Sequence, residues 1–371
     1  MPTVLSIFGT RPEAIKMAPV VKELQRRSGQ IRSLVCVTGQ HREMLDQVLK
    51  IFAIQPEYDL NLMQPNQTLA GLTAVLFEGL DRVVRETRPD WILAQGDTTT
   101  VMVASLVSHY HRVRFGHVEA GLRTGDKFQP FPEEMNRRIA DLLADAYFAP
   151  TERSKQALLT EGADSELVHV TGNTVIDALM DVVARPFDWG RSRWAGLPPD
   201  GRLVLITAHR RESFGQPFRE LCEAIRELAG RHQKVWFVYP VHLNPNVRQP
   251  VGEILADLGN VSLIEPVDYF EMVHLMKRSV LILTDSGGVQ EEAPSLNVPV
   301  LVLRDRTERP EGVEAGVVRL VGTKKDRIVE EAGRILEHGS FVPPAQRGKS
   351  PYGDGKAAQR IVSVLLNGKM S

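Results

Sequence analysis

Cysteine is nearly absent from this chain: 371 residues carry two, Cys36 and Cys222. Each lies in apolar surroundings, Cys36 in Leu34-Val35-Cys36-Val37 and Cys222 within a helical pattern. A disulfide framework is thereby excluded, and buried free thiols in a reducing compartment are expected. Long apolar runs are missing too. No segment approaches the about 18 consecutive apolar residues of a membrane span, and Val4 to Phe8 has only the length of a strand. With no basic stretch and apolar leader ahead of it, the protein is expected to be cytoplasmic, without membrane attachment. Charge of one sign is also lacking: Lys plus Arg is 45, Asp plus Glu is 46, and the formal net charge is −1. That balance excludes a surface built to coat nucleic acid or an anionic membrane. Any bound anion must be caught by a local arrangement of charges.

Several chemical signatures are absent as well. The segment Gly9-Thr10-Arg11-Pro12-Glu13-Ala14-Ile15-Lys16 follows the first apolar run but lacks the Gly-Lys-Ser/Thr ending of a P-loop. No Gly-x-Gly-x-x-Gly follows that run either, so a nicotinamide or flavin dinucleotide cofactor is not expected. His109 and His111 stand two apart without a Cys pair, and no metal site is expected. A Gly-x-Ser-x-Gly elbow is missing; Ser286 sits in a Ser-Gly-Gly turn instead.

What is present is an alternation of short β-rich runs with amphipathic helices. Val4 to Phe8, Leu34 to Val37 and Trp91 to Ala94 read as strands, with helices about Glu13 to Arg27 and Arg42 to Leu49 between them. Leu72, Leu76, Leu80 and Val83 recur at three and four, which marks one face of a further helix. The rhythm predicts an α/β protein with parallel, doubly wound sheets. Arg185 to Arg202 interrupts it with three prolines, three glycines and two tryptophans, and reads as an interdomain connection. The pattern then resumes at Leu203-Val204-Leu205-Ile206, with later strands at Val235, Val261, Val280 and Val300. The expected organisation is therefore two Rossmann-like domains facing across a cleft. The first covers 1–170 and the second 171–356, with the final helix, 357–371, packing back on the first.

Ligands of open parallel sheets gather beyond the carboxyl ends of the strands. The polar segments there are few. Gly9 to Lys16 offers Arg11 and Lys16, two cations on the first turn after a strand, where packing rarely needs them. Asp97 follows Gln95-Gly96, and Glu119 stands in His117-Val118-Glu119-Ala120-Gly121. Glu133 and Glu134 follow Phe131-Pro132 and also suit the acidic first turn of a helix, with Arg137 and Arg138 as plain i,i+4 partners. Asp97, Glu119 and Glu134 near a cleft, with His209 opposite, have the composition of acid/base equipment. In the second half, His209 precedes Arg210-Arg211, and Asp285-Ser286-Gly287-Gly288 leads into a helix start. Glycines there let backbone N–H groups approach an anion, an ordinary tight turn being the alternative. Glu292, one turn on, suits ribose hydroxyls, and Arg304, Arg306 and Arg309 cluster after the next strand.

Taken together these strings resemble the non-hydrolysing UDP-N-acetylglucosamine 2-epimerases. The likeness runs from Phe8-Gly9-Thr10-Arg11-Pro12-Glu13 through His117 to Arg123 and Pro132 to Arg137, then Asp285 to Glu292, ending at Glu308-Arg309-Pro310-Glu311. The resemblance implies the two-domain fold of nucleotide-sugar glycosyltransferases (the GT-B type). It also implies a homodimer that interconverts UDP-N-acetylglucosamine and UDP-N-acetylmannosamine for surface polysaccharide synthesis. The implied route expels UDP to leave 2-acetamidoglucal and then adds UDP back. A hydrolysing 2-epimerase or a glycosyltransferase on the same scaffold is the rival reading.

By matching motif positions, Asp97, Glu119 and Glu134 become the acid/base carboxylates, in an order the likeness leaves open. His209, Arg11 and Lys16 would lie against the diphosphate. Ser286, Gly287 and Gly288 would donate backbone bonds to it, Glu292 would hold the ribose, and Arg138 and Arg309 would add charge to the substrate site. Val267 and Met272 fall at the uracil site, where some relatives carry Gln and Phe. Many bacterial relatives bind a second UDP-N-acetylglucosamine as activator. Gln40, Arg210 and His242 match that set, whereas Glu43 and Asn66 stand where Gln and Arg are often found.

Overall fold

The computed structural model describes residues 1–39, 42–62, 67–194, 196–197, 201–346 and 349–367, with the backbone alone at 42, 43 and 344. Gln40 of the expected effector set lies outside the described residues, as do His41, Asn66 and the side chain of Glu43. The chain forms two compact units, Met1–Met180 with Tyr352–Ser371, and Asp181–Pro351. The division thus falls ten residues beyond the expected 170. The helix Thr174–Val183 buries Val175, Ile176, Ala178 and Leu179, and its Asp177 carboxylate accepts from the N–H groups of Ala357 and Ala358. That bond ties the helix to the C-terminal one, Ala357–Asn367, in the same unit. The C-terminal return begins at Tyr352, five residues before that helix.

The first unit is built on seven parallel strands: β1 (Thr3–Phe8), β2 (Arg32–Val37), β3 (Tyr58–Asp59), β4 (Trp91–Gln95), β5 (Arg114–Val118), β6 (Ala146–Ala149) and β7 (Val168–Val170). They lie in the order β3-β2-β1-β4-β5-β6-β7. Strands buried on both faces read as apolar runs, and β1 and β4 do so because helices cover each side. Leu5, Ile7, Ile92, Ala94 and Phe115 meet Leu72, Leu76, Leu80 and Val83 in one core, so the three-and-four spacing marks the buried face of Leu69–Thr87. Each such Leu or Val removed from water contributes about 1.5–3 kcal/mol. The helix after β1 runs Arg11–Arg26, starting earlier than its apolar pattern. Thr10 and Glu13 close a capping box there, each side chain meeting the other's backbone N–H.

The second unit carries six parallel strands: β8 (Arg202–Thr207), β9 (Val235–Pro240), β10 (Val261–Ile264), β11 (Ser279–Thr284), β12 (Val300–Val302) and β13 (Val318–Leu320). Their order is β10-β9-β8-β11-β12-β13. Within the stretch read as an interdomain connection, Phe187, Trp189 and Trp194 are instead packed onto this unit. Phe187 stacks on His274 at 4.9 Å, Trp189 meets Phe187 edge-on at 4.6 Å, and Trp194 Nε1 donates to Glu271. Its aromatic residues are anchors against the helix Tyr269–Arg278, which a composition rich in Pro and Gly conceals. Among the described residues no helix is long and apolar enough to cross a membrane.

In each sheet the strand order reverses at one place, between β1 and β4 and between β8 and β11. Connections diverge there and leave a crevice at the strands' carboxyl ends. Just beyond β5, Gly121 holds φ +86, and a Cβ on it would come within 2.3 Å of the Ser154 carbonyl oxygen. Gly162 shares the left-handed backbone, at φ +94, with open space around it. Gly162→Ala is therefore expected to cost about 1–2 kcal/mol for backbone strain alone. Gly121→Ala is expected to cost about 3 kcal/mol or more, adding a backbone collision. Urea unfolding of the two variants checks this, and equal losses would contradict it.

Candidate active site

The carboxyl ends of β1, β4 and β5 bring together most of the acidic candidates. Glu119 follows β5 with φ +66, a conformation uncommon for a residue with a side chain. Its N–H and that of Ala120 both donate to the Phe148 carbonyl of β6, at 3.0 and 3.2 Å, which holds the turn. The carboxylate meets Lys16 Nζ at 2.5 Å, the side-chain amide of Gln95, and Asn173 Nδ2 at 2.8 Å. Lys16, expected on a diphosphate, is thus placed on Glu119. Arg11, on the first turn of the same helix, is half-buried. Glu13 turns inward, accepting from Gly9 N–H, Thr10 N–H and the Thr98 hydroxyl at 3.0, 2.7 and 2.6 Å. Burial raises its carboxyl above the ordinary range, against the pull of those donors.

Asp97 lies one strand over from Glu119, after β4. Its carboxylate pairs with Arg137, and its carbonyl accepts from Asn136 Nδ2 at 3.0 Å. Arg137 also lies 3.4 Å from Glu134. Glu134 accepts from the backbone N–H groups of Thr124 and Gly125, at 3.1 and 3.3 Å, and so braces that loop. The three carboxylates differ in access: the side chains of Asp97, Glu119 and Glu134 are 27, 6 and 1 % exposed. Asp97 is the most open of them. Arg138, expected at the substrate, faces away on the exposed side of its helix, 3.7 Å from Glu161. Its neighbour Arg137 takes the inward place, since one residue turns a helix by about 100°.

Beneath these groups lies a pair that the sequence did not single out. His117 is fully buried, its Nδ1 2.6 Å from Asp141 and its Nε2 2.7 Å from the Gly96 carbonyl. Two acceptors require two donors, so the ring is an imidazolium. Burial opposes that charge, but the Asp141 charge and hydrogen bond, with the Gly96 carbonyl, outweigh it and raise the His117 pKa. Burial likewise pushes the Asp141 carboxyl upward, while His117 and Arg123 overcome it and hold it below its usual range. The Gly96 carbonyl thus anchored is the last backbone group before Asp97.

In the second unit the switch between β8 and β11 gathers a different set. Asp285 is buried, and one carboxylate oxygen accepts from the N–H groups of His209 and Arg210 at 2.6 and 2.7 Å. It braces two loops instead of lining an anion site. Ser286 N–H is also engaged, with the Thr284 hydroxyl at 2.9 Å. Gly287 and Gly288 open the helix Gly287–Glu292, where N–H groups have no acceptor within the helix. Arg210 comes close to Gly287: a Cβ there would lie 3.8 Å from its guanidinium.

His209 and His242 stack at 5.3 Å, so an expected catalytic residue and two expected effector residues share one cluster. Burial lowers the His209 pKa, Asp285 opposing and His242 and Arg210 reinforcing the shift. Glu292 is buried and accepts from Tyr269 Oη at 2.7 Å. Val267, two residues before Tyr269, is buried, and Met272 is partly so. Arg309 is held by Glu291 beside the same helix. Among the described residues no cluster of His, Cys, Asp and Glu is arranged to hold a metal ion.

The model of a family described as UDP-N-acetylglucosamine 2-epimerase matches residues 22–366. A UDP-N-acetylglucosamine 2-epimerase of Escherichia coli K12 is 53% identical, covering 99% of both chains. The crystal structure of a UDP-GlcNAc 2-epimerase from Neisseria meningitidis bound to UDP-GlcNAc is 47% identical, with TM-score 0.87 over 98% of this chain and 99% of that one. One from Methanocaldococcus jannaschii, in complex with UDP-GlcNAc and UDP, is 33% identical, with TM-score 0.79 over 98% and 99% of the two chains.

The buried His117–Asp141 pair has a definite pH signature. The raised His117 contributes stability in full below the ordinary imidazole range of about 6.5 and loses it as pH climbs through the raised value. The lowered Asp141 contributes above the ordinary carboxyl range of about 3.9 and loses it as acid reaches the lowered value. Asp141→Asn is thus expected to cost about 3–5 kcal/mol near pH 5.5 and less in alkali. Urea unfolding of both proteins across pH checks this, and a loss independent of pH would contradict the charged pair.

Proposed function

The chain belongs to the UDP-N-acetylglucosamine 2-epimerase family, and from that premise we propose that it interconverts UDP-N-acetylglucosamine and UDP-N-acetylmannosamine while retaining UDP. The C2 proton of the sugar has no neighbouring carbonyl to acidify it, so simple exchange of that proton is slow. Elimination offers a way round. A carboxylate takes the C2 proton, its electron pair becomes the C1–C2 double bond, and the C1–O bond breaks with its pair going to UDP. The intermediate, 2-acetamidoglucal, then regains a proton at C2 on its other face while UDP oxygen adds to C1.

The observation that carries this reading is the Glu119 carboxylate, met by a lysine and two amide donors at the carboxyl ends of the strands, with Asp97 one strand over after β4. Hydrogen bonds to the charged form favour that form, which is the one that can take up a proton. The second unit supplies what UDP requires. Glu292 and the Val267 segment suit the ribose and base, while Gly287, Gly288, Arg210 and His209 suit the diphosphate. Neutral His209 can donate a hydrogen bond to the departing diphosphate, and Arg210 brings the charge that stabilises it.

With UDP-N-acetylglucosamine alone, the purified protein is expected to form UDP-N-acetylmannosamine, with free UDP only in trace. Accumulation of UDP and free N-acetylmannosamine one for one would establish the hydrolysing reaction instead. Glu119→Gln and Asp97→Asn are each expected to lower kcat by about 10²–10⁴-fold, with UDP affinity by calorimetry little changed. Unaltered turnover in either would remove that carboxylate from the chemistry.

A further inference from the structure

Glu119 is reached from a direction the sequence motifs do not suggest. Asn173 lies in the loop after β7, is buried, and has each of its polar groups engaged. Its carbonyl accepts from Ile176 N–H at 3.1 Å, and its side-chain oxygen accepts from Val175 N–H at 3.1 Å. That second bond fixes which way the amide is turned, so Nδ2 is the atom presented to Glu119, at 2.8 Å. Its own N–H donates to the Tyr352 carbonyl at 2.6 Å.

Tyr352 begins the segment by which the chain returns to the first unit. The next residue, Gly353, crosses Gly172 backbone to backbone. A Cβ on Gly172 would lie 3.1 Å from Gly353 Cα, and one on Gly353 would lie 3.3 Å from Gly172 Cα and 3.4 Å from Asn173 N. Both glycines have positive φ, +86 and +138, so neither place suits a side chain. Arg360 Nη1 donates to the Thr171 carbonyl at 2.9 Å, and Asp177 caps the helix that follows. The return is therefore bolted to the Asn173 loop at several points, and that loop ends on the carboxylate.

We infer that Asn173 is a positioning residue for Glu119, and that the C-terminal return from Tyr352 to Ala358 holds it in place. The last segment of the chain then serves the proton transfer at C2 and not only the stability of the unit. Asn173 does not touch the sugar; it orients the group that does. The inference rests on the epimerase reading above.

Steady-state kinetics of Asn173→Ala, Gly353→Ala and the double variant test it, with UDP-N-acetylglucosamine as substrate. Asn173→Ala is expected to lower kcat about a hundredfold with KM and UDP affinity nearly unchanged, because a small misplacement of a reacting group costs about that much. Gly353→Ala is expected to lower kcat in the same way by about tenfold, and to add little once Asn173 is gone, since both act through one contact. Should Gly353→Ala fail to fold, Asp177→Ala, which loosens the same return, takes its place in the cycle. An unchanged kcat in Asn173→Ala, or effects that multiply fully in the double variant, would overturn the inference. An inactive wild type would instead overturn the epimerase reading.

Discussion

A buried carboxylate with a lysine beside it is the interaction on which the first unit turns. Removing Glu119 from water is costly, and an unpaired charge there would be neutralised or expelled. Lys16, Gln95 and Asn173 meet that cost, and they come from the helix after β1, the end of β4 and the loop after β7. Only the strand order β1-β4-β5-β6-β7 brings those three places to one side chain. The left-handed backbone at Glu119 is strained by roughly 1–2 kcal/mol. It persists because the Phe148 carbonyl takes two consecutive N–H groups. Fold and chemistry therefore share one constraint: whatever shifts the sheet shifts the carboxylate.

The second unit solves a related problem with the opposite polarity. At its switch point Asp285 is a carboxylate that faces inward, and the groups it holds are backbone N–H donors of His209 and Arg210. With the Asp285 charge held by the loops, the imidazole, the guanidinium and the glycine N–H groups are the ones proposed above to meet the diphosphate. The lowered His209 pKa follows from burial beside Arg210 and His242, and a neutral ring there can donate without an added proton.

Much of this was legible in the sequence, and the failures share a cause. Apolar runs and three-and-four spacing are local, so β1, β4, β8 and the Leu72–Val83 face could be read directly. The same holds for polar residues at strand ends, and Asp97, Glu119, His209 and the glycine turn lie where open sheets gather ligands. β3, β6 and β7 escape the sequence reading, whereas β10 and β12, as short, stand out as unbroken or nearly unbroken β-branched and leucine runs. Partners across the fold were beyond reach. Lys16 reads as an anion ligand until its contact with Glu119 is known, and Arg138 is indistinguishable from Arg137 until the helix phase is set. Asp141 and Asn173 carry no local signal, because their partners lie 24 and 54 positions away. Phe187, Trp189 and Trp194 stand in a stretch with the composition of a linker and make the contacts of a packed flank.

The most direct measurement of the central claim is proton NMR of the purified protein turning over UDP-N-acetylglucosamine in deuterated water. Loss of the C2 proton to a carboxylate and its return from solvent require that UDP-N-acetylmannosamine form with deuterium at C2. Epimerised product that keeps its original proton at C2 would contradict the elimination.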